Sequence, residues 1–109
     1  MPDAAEAFDA LGDANRRALL GLLGDGDRSV QQLADAMPIS RPAVSRHLRV
    51  LTEAGLVRET RIGTRHVFAL HERGLDAVKE YLERVWADSA ARFTLFAENT
   101  TPETPTREP

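Results

Sequence analysis

Ile39–Val57, ISRPAVSRHLRVLTEAGLV, is the stretch that decides how this chain is read. It reads as one helix with two faces of opposite purpose. Val44, Leu48 and Leu51 recur at helical spacing and make an apolar stripe. Arg41, Pro42, Ser45, Arg46 and Arg49 fall on the other side, three and four residues apart. Ser40 suits the N-cap, because its hydroxyl can accept a hydrogen bond from a first-turn backbone N–H. Pro42 costs little so near the start, where those N–H groups have no helical partner. Gly55 is placed to stop the helix. An outer face of arginine and serine, with no acid before Glu53, suits the major groove of a duplex. Arginine can pair bidentately with a guanine edge or hold a phosphate, and serine can hydrogen-bond to either.

The preceding segment strengthens this. Ser29-Val-Gln-Gln32 has the capping-box pattern, in which the serine side chain caps the turn and Gln32 reaches back. Val30, Leu33 and Ala34 mark a short amphipathic helix, and Met37-Pro38-Ile39 breaks it. Two helices joined by a tight turn, the second one basic, predict a helix-turn-helix.

The order and spacing of these parts resemble one family. SVQQLADAMPISRPAVSRHLRVLTEAGLVRETRIGTRHVFAL is similar to the ArsR/SmtB family of bacterial winged helix-turn-helix repressors. Upstream, Phe8-Asp-Ala-Leu-Gly-Asp-Ala-Asn-Arg-Arg-Ala-Leu-Leu resembles that family's first two helices, so the likeness spans roughly residues 5 to 97. Its most specific piece is Ser40 to Leu51 followed by Gly55-Leu56-Val57.

The rest of the chain fits a mainly α fold with a small β-hairpin, in the order α-α-α-α-β-β-α. A first helix is predicted over Ala4–Leu11, with Phe8 and Leu11 as its apolar marks. A second follows from Ala14 to about Leu23, capped by Asp13, with Leu19, Leu20, Leu22 and Leu23 supplying core. After the helix-turn-helix, Val57–Arg61 and Arg65–Leu70 read as strands joined through Ile62-Gly63-Thr64, where the glycine gives a tight hairpin its backbone freedom. Their alternation is imperfect, so the sequence leaves their faces open. This hairpin is the wing. Arg58, Arg61, Arg65 and His66 can track phosphates or enter the minor groove there.

A last helix runs from near Glu72 to about Glu98, with Leu75, Val78, Leu82, Val85 or Trp86, Ser89 or Ala90, Phe93 and Phe96 recurring at three and four. At 1.5 Å per residue it spans about 40 Å, a stripe too long for so small a domain to cover alone. A partner chain would cover it. The resemblance implies the same: dimerisation through the terminal helices, with Phe8, Leu11, Val78, Leu82, Trp86, Phe93 and Phe96 at the interface. An aromatic-lined ligand pocket is the alternative. Residues 1–98 thus form one DNA-binding and dimerisation domain. The Thr-, Pro- and Glu-rich stretch 99–109 is expected to be a disordered tail.

Composition sets bounds. The chain has 109 residues, the length of a single domain, and a net charge of −3. That charge is unevenly placed. Ser40–His66 holds six arginines against two glutamates, a local +4, which leaves −7 for the remainder. Affinity for phosphate follows the local field, so the acidic total does not exclude DNA. A solvated surface is the usual reading of a charge run, but its helix-turn-helix setting favours nucleic acid. With no cysteine there is neither a disulfide framework nor a thiolate metal site. No secretory signal or membrane-length apolar run is present, so a cytoplasmic, nucleoid-associated protein is expected.

Many members of the family carry a cysteine pair on the helix before the recognition helix. The matching positions here are Ser29 and Gln31, neither of them a soft ligand. Others place acid and histidine ligands on the last helix, which here has Asp76, Glu80, Glu83 and Asp88 but no histidine after His71. No two of His47, His66 and His71 share a three- or four-residue ligand spacing. No metal and no cofactor are expected, although a metal- or ligand-responsive repressor of the same fold is the alternative. Release of DNA would then fall to a competing protein, an organic ligand or the protein's own concentration.

Catalysis finds no support: Ser45 and His47 point to different sides of a helix, and no nucleophile elbow or phosphate loop is present. A winged-helix module that binds only protein is disfavoured by the cationic outer face. The sequence therefore predicts a homodimeric transcriptional repressor of a palindromic operator in double-stranded DNA. Its DNA-facing set is Ser40, Arg41, Pro42, Ser45, Arg46, His47 and Arg49, with Arg61, Thr64 and Arg65 in the wing. Arg41 and Ser45 are the first choices for base edges.

Overall fold

The computed structural model describes the backbone of residues 4–99 and the side chains of residues 4–92. The elements are α1 (Ala4–Ala10), α2 (Ala14–Gly24), β1 (Arg28–Ser29), α3 (Val30–Ala36), α4 (Arg41–Glu53), β2 (Val57–Ile62), β3 (Arg65–Leu70) and α5 (Glu72–Asn99). The chain forms two compact units, one through Lys79 and one from Glu80.

The first unit is built around apolar residues that the sequence spaces for burial. Leu19 and Leu23 of α2, Leu33 of α3, and Val44, Leu48 and Leu51 of α4 are buried together with Leu56, Val57 and Phe68. Leu20 and Leu22 lie at the margin of this core, half-buried, rather than inside it. In α1 the core-facing residues are alanines, and Phe8, expected at a dimer interface, is not among them. Ala7 and Ala10 are buried, whereas Phe8 points outward at 38% exposure. Small residues let that helix lie close to the core. Its end at Ala10 puts Leu11 in the turn that follows, where Leu11 packs at the core's edge.

The helix ends are closed as their side chains dictate. The Asp13 carboxylate accepts from the backbone N–H groups of Asn15 (2.8 Å) and Arg16 (3.1 Å) at the start of α2. The Arg16 N–H is the main cause of an Asp13 pKa held below its usual value, aided by the Asn15 N–H and by the charges of His47 and Arg16. The depressed folded pKa means that this cap contributes above the ordinary aspartate range and is lost as pH falls through the folded value. Asp13→Asn keeps a capping oxygen but not the charge. The stability advantage of the parent over Asp13→Asn should therefore shrink on acidification, and thermal unfolding of both at neutral and acidic pH would show it. A constant difference would contradict the assignment.

Ser29 and Gln32 form the expected capping box at α3: the Gln32 N–H donates to Ser29 Oγ at 3.1 Å, and the Ser29 N–H donates to Gln32 Oε1 at 2.9 Å. Helix α4 ends in a Schellman turn, in which Gly55 N–H donates to the Thr52 carbonyl and Leu56 N–H to that of Leu51, both at 3.0 Å. Gly55 carries φ of 75° there, the left-handed geometry that glycine adopts without strain. Helical geometry is thus confined to Arg41–Glu53, the interior of the longer quoted stretch.

Two features of the sheet differ from expectation. The hairpin loop is two residues long, because Ile62 pairs with Arg65 and β2 extends one residue past Arg61. Gly63, at φ of 64°, is followed by Thr64 at negative φ, the pattern of a type II′ turn. A third strand, β1, pairs antiparallel with β3 through Arg28–Phe68 and Ser29–Val67, giving the order β1-β3-β2. Two residues leave no periodicity to read, and Ser29 serves both β1 and the cap of α3.

The second unit is the continuation of α5 from Glu80 to Asn99, one residue past the expected end. Tyr81, Leu82 and Trp86 are exposed on it, Trp86 at 66%. Phe93, Phe96 and the expected tail lie outside the described side chains.

Candidate nucleic-acid interface

The site begins with the two faces of α4. Its inner stripe, Val44, Leu48 and Leu51, is essentially inaccessible, which fixes the rotation of the helix about its axis. Ser40, Arg41, Pro42, Ser45, Arg46 and Arg49 are consequently all exposed on the outer side. Ser40 Oγ accepts from the Ala43 N–H at 3.2 Å, so the helix starts where the cations do. No acid occupies the first turn.

His47 stands apart from this face. It is half-buried, and its Nδ1 lies 3.4 Å from a guanidinium nitrogen of Arg16. Arginine can only donate, so Nδ1 is the acceptor when the two hydrogen-bond. The same Arg16 donates through Nε to the Ala10 carbonyl at 2.7 Å and through its other terminal nitrogen to that of Asp9 at 3.2 Å. It thereby closes the C-terminal end of α1 while touching α4. The sequence reading sets His47 among the DNA-facing residues; the structure places it half-buried, against Arg16 of α2.

The wing supplies the second element. Directly opposed residues share a face, so the register sets Glu59, Arg61, His66 and Phe68 on one side and Arg58, Thr60, Ile62 and Arg65 on the other. Arg61 therefore shares a face with the residues that border α4, whereas Arg65 projects from the opposite face beside the tip. Between α4 and this hairpin runs a groove of about 510 Å³, lined by Ser45, Leu48, Arg49 and Thr52 on the helix side and Glu59, His66 and Phe68 on the wing. His66 Nδ1 is in hydrogen-bonding contact with a Glu59 carboxylate oxygen, an ion pair when the imidazole is protonated. Sequence reasoning missed this pair, because only the register brings the two residues together.

Among the described residues, the side chains of Arg46, Arg49, Arg61 and Arg65 have no hydrogen-bond or ion-pair partner, and all four residues are exposed. Their charge is available to an outside anion. Arg41 differs: its guanidinium donates to Gln31 Oε1 of α3 at 2.6 Å.

A second concavity, of about 340 Å³, is almost wholly apolar. Leu11, Leu20, Leu56, Leu70, Leu75 and Val78 line it, with His71 and Glu72 at the rim. It gathers two of the residues expected at a dimer interface, Leu11 and Val78. Among the described residues, no three of His, Asp and Glu gather to hold a metal ion. Nor is any helix among them long and apolar enough to cross a membrane.

Comparison with known proteins agrees with this geometry. A helix-turn-helix domain family matches residues 11–60. The chain is 46% identical over 80 residues to the HTH-type transcriptional regulator Rv2034 of Mycobacterium tuberculosis, which covers 73% of this chain and 75% of that protein. Among solved structures, an ArsR-like transcriptional regulator from Rhodococcus sp. RHA1 superposes with a TM-score of 0.78 at 32% identity, covering 87% of this chain and 90% of that one. The homodimeric winged helix-turn-helix domain of Mb0332 from Mycobacterium bovis, a possible ArsR-family regulator, gives a TM-score of 0.61 at 29% identity over 92% of this chain and 86% of its own. With its cationic helix seated on an apolar core and its two-stranded wing, this chain belongs to the ArsR/SmtB family of winged helix-turn-helix, DNA-binding transcriptional regulators.

Proposed function

We propose that this regulator is a dimeric repressor that binds a palindromic operator and needs no metal to do so. The carrying observation is the division of α4: a buried apolar stripe and, opposite it, Ser40, Arg41, Pro42, Ser45, Arg46 and Arg49 exposed without an intervening acid. Arg41 and Ser45 read base edges. Arg46 and Arg49 serve either bases or phosphates. Arg61, Thr64 and Arg65 work the wing, with Arg61 following the groove side and Arg65 the outer side.

The dimer reading is supported by the apolar surface that one chain leaves exposed. Phe8 and the groove containing Leu11 and Val78 lie in the first unit, and Leu82 and Trp86 lie in the second. The solved Mb0332 domain is homodimeric, and a second copy is the occupant suited to so much apolar area. Phe93 and Phe96 complete the proposed interface. Metal independence is supported by donor chemistry. The chain lacks cysteine, and the two positions matching the family's thiolate pair have other work: Ser29 caps α3 and Gln31 holds Arg41. Acting on chromosomal DNA, the protein would reside in the cytoplasm.

Arg46→Ala should leave the dimer intact and cost roughly 1–3 kcal/mol of operator binding if the side chain reads a base. A gel-shift titration checks this, and unchanged binding would refute the assignment. Parent affinity should also fall steeply with salt, since each neutralised phosphate releases counterions. A flat salt dependence would favour a protein partner instead.

A further inference from the structure

We propose that Gln31, with Asp35 behind it, is a positioning residue that holds Arg41 ready for the operator. The proposal rests on the reading of Arg41 as a base contact. Gln31 and Asp35 are one turn apart on α3 and belong to none of the DNA-facing elements. The Gln31 amide is engaged at both ends: its Nε2 donates to Asp35 Oδ1 at 2.7 Å, and its Oε1 accepts from an Arg41 terminal nitrogen at 2.6 Å. The Asp35 carboxylate, an acceptor only, fixes which way the amide faces. A flipped amide would set –NH₂ against the guanidinium, which cannot accept, and carbonyl oxygen against carboxylate. Asp35 therefore presents the Gln31 oxygen to Arg41.

The consequence for Arg41 follows from its shape. The guanidinium is planar and carries five N–H donors in a fixed fork. One contact to Gln31 restricts the orientation of that plane and leaves the remaining donors for a bidentate pair on a base edge or phosphate. An exposed arginine without such a contact would have to lose its rotamer freedom on binding. With the contact, part of that ordering is in place before DNA arrives. Bidentate geometry matters to a base edge and hardly at all to a diffuse phosphate field, so the device acts on discrimination more than on general affinity.

The test is an anisotropy titration of the parent, Gln31→Ala, Gln31→Glu, Arg41→Ala and the Gln31→Ala/Arg41→Ala pair. The probes are a duplex recovered by the parent protein from a random-sequence pool and a scrambled duplex of the same length and composition. Gln31→Ala should bind the selected duplex about threefold to tenfold more weakly, the scale of immobilising one flexible side chain, and the scrambled duplex as well as the parent does. In the Arg41→Ala background the same substitution should change nothing, because the residue it positions is gone. Gln31→Glu keeps an acceptor for Arg41. It should preserve the ratio between the two duplexes while the added negative charge weakens both. Equal losses on both duplexes, a persistent loss without Arg41, or tighter binding by Gln31→Ala would each overturn the proposal. If Arg41→Ala weakens binding and Gln31→Ala does not, positioning fails alone. If Arg41→Ala itself leaves selected-duplex binding unchanged, the underlying base-contact reading fails with it.

Discussion

Trp86→Ala is expected to weaken self-association by about a thousandfold, the largest single effect foreseen for this protein. In one chain the indole is 66% exposed, so the truncation removes little that holds the monomer together. Across a two-fold interface the same residue is lost from both copies. Buried tryptophans are recurrent interface anchors, and truncating one costs about 2 kcal/mol or more. Two such losses amount to roughly 4 kcal/mol, near three decades in dissociation constant. Sedimentation equilibrium across a range of concentrations would show the shift. An unchanged dissociation constant would remove Trp86 from the interface. Operator affinity should fall in parallel, because a monomer presents only one recognition helix.

Gly74→Ala is expected to destabilise the first unit by roughly 1–3 kcal/mol, the usual cost of forcing extra volume into a filled site. Gly74 is buried in the first turn of α5, where its N–H donates to the Gly55 carbonyl at 2.7 Å. The His71 N–H donates to the Leu56 carbonyl at 3.0 Å, so the start of α5 is bonded to the turn that ends α4. A β-carbon on Gly74 would sit 2.8 Å from the Ala54 carbonyl oxygen, 2.8 Å from Leu56 Cδ2 and 2.9 Å from the Gly55 carbonyl carbon. Two of these three are backbone atoms of a Schellman turn and cannot swing aside. Ordinary helix propensity predicts the opposite sign, since alanine is preferred over glycine inside a helix. Urea unfolding distinguishes the two: a lower midpoint supports the close approach, and a higher one supports propensity.

The recognition helix was legible because everything that defines it is local. Its cap, its early proline, its apolar stripe and its cations follow one another at helical spacing, and burial of Leu48 and its neighbours then settles which side faces out. The wing was legible as a hairpin but not as two faces. Arg58 to His66 are all exposed, so no burial enforces alternation, and only the register separates Arg61 from Arg65. In α1 the sequence drew attention to Phe8, whereas the core is met by Ala7 and Ala10. Alanine carries little sequence mark as core, because the close approach that reserves a helix face for small residues is revealed only by tertiary structure. The contacts of Arg16 with His47 and of Arg41 with Gln31 join separate helices at spacings that no periodicity marks. Gly74 is a similar case. Its reason lies in the turn after α4, and within its own helix it reads only as a weak helix former.

The central claim is that paired α4 helices enter successive major grooves of one duplex. Selection of bound sequences from a random duplex pool by the purified protein, repeated with added Zn²⁺, tests it most directly. The account predicts an inverted repeat whose half-sites are centred one helical turn, about 10–10.5 base pairs, or a whole multiple apart, recovered equally with and without zinc. Recovery of a single asymmetric half-site, or of no consensus at all, would contradict it.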